Sequence, residues 1–302
     1  DDARRRSLHY TVIDVGAARG WFVFEALELG RKVQRKDYED AVLTLRQQLL
    51  EAQFELVDKP YPVIVIVSGV EGAGKGTVVH RFNEWMDTRL IDNHAFWDSS
   101  DEENQRPFYW RFWRRMPARG RIGVFFGSWY TRPIIDRVFE RCTDAELDAE
   151  MQRIEDLEQM LAEDGTLIVK LWFHLRQDAQ GRQLGMDMPR KKQNLVIPPE
   201  RAEQAKLYEA FWRTSERAIR ATDTGINPWH LIEAEDPYYR DLTAGEVLLT
   251  ALKEHLAKHH LKLTRQREHI LNAFLRTEHV TAEQMYRQLS KKDPHIGLAT
   301  IY

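Results

Sequence analysis

Val63 to Val67 are consecutive β-branched positions, an unbroken apolar run that fits a strand buried on both faces. Arg121–Phe126 predicts a second buried strand, Thr166–Phe173 a third strand and Pro228–Glu233 a fourth. Between them the period changes to that of a helix. Val42, Leu45, Leu49, Ala52 and Leu56 form one stripe, ended by Pro60 and Pro62. Val78, Phe82 and Trp85 predict a helix after the first strand. Thr143 and Glu146 form a capping box ahead of Leu147, Met151, Ile154, Leu157 and Leu161. Thr243 and Glu246 predict a cap for a helix carrying Val247, Leu249, Leu252 and Leu256. Strands alternating with helices argue for an α/β fold, a mostly parallel sheet with helices on both faces. Such sheets hold ligands beyond the carboxyl ends of their strands.

After Leu256 the pattern shifts. Lys258-His259-His260 reads as a junction, followed by short helices around Leu263–Phe274 and behind a Thr281-x-x-Gln284 cap. Three short helices in this stretch suggest a helix-turn-helix fragment.

Length and composition narrow the classes. The 302 residues suit two domains, and 43% hydrophobic with 11% aromatic content indicates a folded chain. Lys and Arg total 44 against 47 Asp and Glu, so global charge gives no sign of a nucleic-acid partner. A single cysteine, Cys142, cannot make an internal disulfide, which fits a reducing, cytoplasmic setting. The apolar runs are strand-sized and predict no membrane span. Asp1–Phe22 carries Arg4-Arg5-Arg6 without the apolar core of a secretory signal, and is expected to lie outside the native domain.

The first strand runs into Gly69-Val70-Glu71-Gly72-Ala73-Gly74-Lys75-Gly76-Thr77. A strand, a glycine turn and a helix N-terminus aim backbone N–H groups and the helix dipole at an anion. Lys75 adds a mobile charge for outer phosphates. Gly76 stands where the G-x-x-x-x-G-K-[ST] pattern has its Mg²⁺-binding hydroxyl, and Thr77 follows one residue late. The competing reading is a core strand with an ordinary turn. Arg106, Arg111, Arg114 and Arg115 interleave with aromatics, Trp110 and Trp113 being expected to face the core. They read as a polyanion wall or as a solvated basic face. Arg182, Arg190, Lys191 and Lys192 read as a lid or as an exposed loop. No carboxylate ends the strand before Phe126-Gly127; Glu71 and Asp136 are the nearest substitutes. His255, His259 and His260 are a possible metal cluster, against the blander reading of a solvated helix end.

In order, GVEGAGKG, NEWMD (83–87), SDEE (100–103), Arg106-Pro107, RFW (111–113), P-x-x-G-x-I-G (117–123) and SWY (128–130) resemble the polyphosphate kinase 2 family. Thr222-Asp223-Thr224, Pro228-Trp229 and Asp236-x-x-Tyr239-Arg240 extend the resemblance over about residues 24–257. It is similar in particular to the first of two tandem domains in polyphosphate:AMP phosphotransferases. The resemblance implies a P-loop kinase-like fold and Mg²⁺-dependent phosphoryl transfer from inorganic polyphosphate to an adenine nucleotide, AMP to ADP favoured, by a homo-oligomer. It further implies that Gly72, Ala73, Gly74, Lys75, Gly76 and Thr77 cradle phosphate with Arg106 and Arg111. Catalytic roles fall to Lys75, Glu71 and Arg132, with Glu71 standing where active members carry a metal-binding Asp. Phe126-Gly127 replaces their Asp-Arg pair, and Gln193 their lid Trp. A catalytically silent polyphosphate- or nucleotide-binding domain is therefore the alternative.

LKLTRQREHIL (261–271), HVTAEQMYRQL (279–289) and GLATIY (297–302) resemble the winged helix of ferric uptake regulator-type repressors. That places a truncated DNA-binding fragment at 258–302, with Thr300 and Tyr302 as contacts. Little DNA binding is expected from an incomplete reading helix.

Overall fold

A computed structural model describes residues 24–184 and 207–275, with side chains as far as 258. The Cα framework divides into two compact units, Asp1–Leu252 and Lys253–Tyr302.

Among its described residues, the first unit is built on five parallel strands: β1 (Val63–Gly69), β2 (Ile91–Ala95), β3 (Ile122–Phe126), β4 (Leu167–His174) and β5 (Trp229–Glu233). Their order is β2-β3-β1-β4-β5, with β1 in the middle. Val63, Ile64, Val65 and Ile66 have no exposed surface, so both faces of the sheet are covered, as a parallel sheet requires. The sequence pattern showed four of these strands. The fifth, β2, reads Ile-Asp-Asn-His-Ala and among the described residues pairs only with β3. As an edge strand it tolerates the polar residues that hide it from an apolar-run reading.

The helices, within the described residues, are α1 (Arg35–Leu56), α2 (Lys75–Trp85), α3 (Asp101–Asn104), α4 (Trp110–Trp113), α5 (Thr131–Val138), α6 (Asp144–Glu163), α7 (Gln177–Gln183), α8 (Tyr208–Thr222) and α9 (Pro237–Leu275). The Thr143–Glu146 capping box forms as expected at the start of α6. The one expected at Thr243 does not. Thr243 lies inside α9, where its hydroxyl donates to the Tyr239 carbonyl, and burial pushes the Glu246 carboxyl up to about 7. Asp236 starts this helix instead, accepting the Tyr239 N–H at 2.8 Å. Helix α9 continues through Lys258-His259-His260. The expected three-helix fragment otherwise lies outside the described residues, as do Arg190, Lys191, Lys192, Gln193, Thr300 and Tyr302.

A strap ahead of α1 fastens to the carboxyl ends of β4 and β5. Phe24 stacks on His174 at 4.8 Å and on Trp172 at 5.5 Å. Glu28 meets His174 Nε2 at 2.9 Å, and Glu233 accepts the N–H groups of Gly30 and Arg31. The expected leader, residues 1–22, lies outside the described residues.

Candidate phosphate-binding site

The glycine-rich turn leaves β1 at the centre of the sheet, beside the carboxyl ends of β3 and β4. Its backbone is held on one side by β4, where the Phe173 carbonyl accepts the Val70 N–H at 2.9 Å. Gly69 adopts φ +137°, and a Cβ there would stand 2.2 Å from the Phe173 carbonyl oxygen. Only glycine fits so close an approach. Gly74, at φ +75°, is the residue before α2, and the N–H groups of the first helical turn have no intrahelical acceptor. They form a ready anion cradle with the helix dipole behind them. Ala73 is buried, whereas Gly76 and Thr77 are exposed at the mouth of the turn.

Lys75 folds back over this turn. Its ammonium donates to the carbonyls of Gly69 (2.7 Å) and Val70 (3.0 Å) and lies 3.6 Å from Glu71. Glu71 is thus the carboxylate that accompanies the cradle. No group of three or more His, Cys, Asp or Glu side chains suited to a metal occurs among the described residues. Magnesium keeps most of its waters and is commonly held by one or two carboxylates plus substrate phosphates. Glu71 fits that modest demand.

Two elements distant in sequence close on the turn. From α7, Gln180 Nε2 donates to the Glu71 carbonyl at 3.2 Å, and a Cβ at Gly72 would lie 3.4 Å from Leu184. From the first turn of α9, the Arg240 guanidinium lies against Gly74, where a Cβ would stand 1.9 Å from Nη1. Neither Gln180 nor Arg240 was visible as a site residue in the sequence; Arg240 carried a signal only as the last letter of the Asp236-x-x-Tyr239-Arg240 piece.

The expected arginines are dispersed. Arg111 is largely buried and holds the 97–103 loop, donating to the Trp97 carbonyl (2.9 Å) and Ser99 Oγ (3.1 Å) and pairing with Glu103. Arg106 lies over the Trp110 ring. The orientation expected for this segment is reversed in part: Phe112 is the buried residue of α4, while Trp113 is exposed. A single turn buries one face, and Phe112 fills it by packing on Phe96, Phe108 and Trp129. Arg132 is exposed, pairs with Asp136 at 3.4 Å and lies over the Phe108 ring. It lines a cavity of about 450 Å³ shared with Cys142, Leu147 and Arg153, which includes no residue of the glycine-rich turn. Arg182 lies on α7, bonded to Asp178 (2.8 Å) and Glu235 (3.0 Å). With Arg31, Lys32 and Arg176 it lines a second cavity of about 460 Å³.

At the end of β3, Phe126 packs its ring 5.3 Å from Trp97, which is 60% exposed. Gly127 has φ +76°, and a Cβ there would meet the Phe96 carbonyl oxygen at 2.8 Å. The residues that follow are locked by a buried network. Trp129 Nε1 (3.0 Å) and the Tyr130 hydroxyl (2.7 Å) both donate to Glu158, which also pairs with Lys170 at 2.8 Å. Lys170 further donates to the Thr222 carbonyl at 2.7 Å. Burial pushes the Lys170 ammonium down from its ordinary value, and Glu158 beside it pulls it back.

A family model, polyphosphate kinase 2, matches residues 32–260. A second, the ferric uptake regulator family, matches residues 258–302. The polyphosphate:AMP phosphotransferase of Pseudomonas aeruginosa is 42% identical over 78% of this chain and 48% of its own length. The ADP-polyphosphate phosphotransferase 2 of Rhizobium meliloti is 29% identical over 67% of this chain and 66% of its own. The crystal structure of polyphosphate kinase 2 from Arthrobacter aurescens is similar with a TM-score of 0.69 at 27% identity, covering 75% of this chain and 82% of that one. This chain spans about half the length of the curated Pseudomonas relatives it matches. The parallel sheet, the glycine-rich turn at its centre and these matches agree: the chain belongs to the polyphosphate kinase 2 family.

Proposed function

We propose that the chain transfers a phosphoryl group from inorganic polyphosphate to a nucleoside mono- or diphosphate, AMP to ADP being favoured, with Mg²⁺. The observation that carries this reading is the turn itself: Gly74 before α2, with the Lys75 ammonium and the Glu71 carboxylate 3.6 Å apart above it. Such transfers rest on positioning and charge neutralisation more than on covalent chemistry. The N–H groups of Gly76 and Thr77 would hold a phosphate at the helix terminus, and Lys75 would neutralise the group in transit. Glu71 would hold Mg²⁺, which supplies further neutralisation when bound. The relatives named for polyphosphate and AMP or ADP support the substrate class. We further infer a homo-oligomer acting in the cytoplasm; among the described residues no helix is long and apolar enough to cross a membrane.

Phe126 and Gly127 favour a second reading, a polyphosphate- or nucleotide-binding domain without turnover. The place of the family's Asp-Arg pair holds an aromatic contact with Trp97 and a left-handed glycine. Loss of an arginine that stabilises the transferring group costs about 10³–10⁵ in rate.

Measuring ADP formed from AMP and polyphosphate with Mg²⁺, beside Lys75→Ala, separates the two. Turnover abolished in the variant is the outcome expected of the enzyme. Absent turnover with polyphosphate binding that Lys75→Ala weakens would establish the second reading, and turnover and affinity unchanged by Lys75→Ala would count against both.

A further inference from the structure

We propose that Arg240 is a phosphate-binding residue, a second cation delivered to the glycine-rich turn from the opposite end of the sequence. The inference rests on the reading of that turn as a phosphate site.

The geometry is specific. A Cβ at Gly74 would stand 1.9 Å from Arg240 Nη1, 2.5 Å from Cζ and 3.2 Å from Nε. The guanidinium therefore lies directly against the residue that opens α2, one position before Lys75. Arg240 is only 7% exposed, and a buried guanidinium is tolerated when its donors are taken up. Two of them are: Nε and Nη2 approach Asp241 Oδ1 at 2.9 and 2.7 Å. Asp241 is shared, because its Oδ2 also accepts from Arg81 Nε at 3.1 Å. One carboxylate thus lies between two guanidiniums, and Arg81 has a further partner in Glu84. Neither contact with Asp241 uses Nη1, the amino group that stands against Gly74. An oxyanion seated over the first N–H groups of α2 would supply it with an acceptor.

The mounting is rigid. Asp236 holds the start of α9 through the Tyr239 N–H and ties it to the strap at Val33, and the Arg240 N–H donates to the Asp236 carbonyl. Glycine at 74 is then required twice, for its left-handed backbone and for the space that Arg240 occupies. The chain also lacks an arginine at Gly127, where active relatives carry one by resemblance. Arg240 restores a fixed positive charge to the site from the α9 side of the turn.

The probe is inorganic tripolyphosphate, titrated calorimetrically into the full chain, with thermal melts of each variant. Lys75→Ala fixes the scale for loss of the site. Arg240→Gln, which keeps one hydrogen bond to Asp241 but removes the charge, should weaken binding at least tenfold and flatten its salt dependence. Arg240→Lys keeps charge and stem but not the planar fork, and should weaken binding by a few fold. If Arg240→Gln fails to fold, the lysine variant decides the matter. Wild-type affinity in a folded Arg240 variant, with binding lost in Lys75→Ala, would show that Arg240 merely packs against Gly74. A wild-type chain that does not bind tripolyphosphate would overturn the phosphate reading itself, and this inference with it.

Discussion

Gly69 and Gly76, seven positions apart in the same turn, answer to different demands. At Gly69 an added methyl would lie 2.2 Å from the Phe173 carbonyl oxygen and 2.6 Å from its nitrogen, at φ +137°. Neither the β4 backbone nor the dihedral can relax without parting two central strands. At Gly76 nothing lies within 4 Å of an added Cβ, and the backbone is helical. Gly69→Ala is therefore expected to destabilise the fold by about 2–4 kcal/mol. Gly76→Ser should leave stability equal or up to about 0.5 kcal/mol higher, since glycine is a poor helix residue. Urea denaturation of both variants tests the contrast, and comparable losses would show that close approach to β4 is not what Gly69 serves. At this scale the sequence was legible wherever chemistry was local. Lys75, Glu71 and the glycines sit together in the chain and in space. Arg240 and Gln180 reach the turn from α9 and α7, so nothing short of the fold could bring them to it.

The elements were readable where burial imposed an apolar run or a capped apolar stripe. Strands β1, β3 and β4 carry long, mostly apolar stretches, β5 a short one, and α6 has both a capping box and a continuous stripe. Strand β2 failed the pattern because an edge needs no second apolar face, and α4 because one turn has too few residues for a period. Another feature defies a binary pattern: Lys170 lies fully buried in the middle of β4. The answer is Glu158 on α6, which also takes the Trp129 and Tyr130 donors, so that a single carboxylate joins β4, α6 and the segment after β3. Removing one partner of such a pair leaves a buried charge without its counterion. Lys170→Met is expected to cost about 3–5 kcal/mol. Adding Glu158→Gln to it should recover part of that, because the neutral amide still accepts from Trp129 or Tyr130 and leaves no charge unpaired. A denaturant double-mutant cycle measures this; a loss below about 1 kcal/mol for Lys170→Met alone would mean the network is dispensable.

For the whole molecule, the question is how far the chemistry depends on the second unit. The phosphate cradle, Lys75, Glu71, Gln180 and Arg240 all fall within Asp1–Leu252, and the polyphosphate kinase 2 match ends at residue 260. The residue range of helix α9 spans the boundary at Leu252, and both Leu252 and Leu256 on it are buried. A cut at the unit boundary would remove Leu256; a cut after Lys258 keeps both leucines. A chain ending at Lys258 should therefore melt within about 2 °C of the full chain and bind tripolyphosphate within about twofold of it. A fall in the melting temperature of more than about 8 °C, on the order of 2 kcal/mol in a domain of this size, would instead make the second unit part of the first unit's fold. DNA affinity supplies the converse reading. With 44 basic against 47 acidic residues, the chain has no global field to draw it to a duplex. Both lengths should bind DNA equally weakly, with a shallow dependence on salt. A steep salt slope confined to the full chain would locate a separate DNA-binding activity beyond Lys258, independent of the phosphate site.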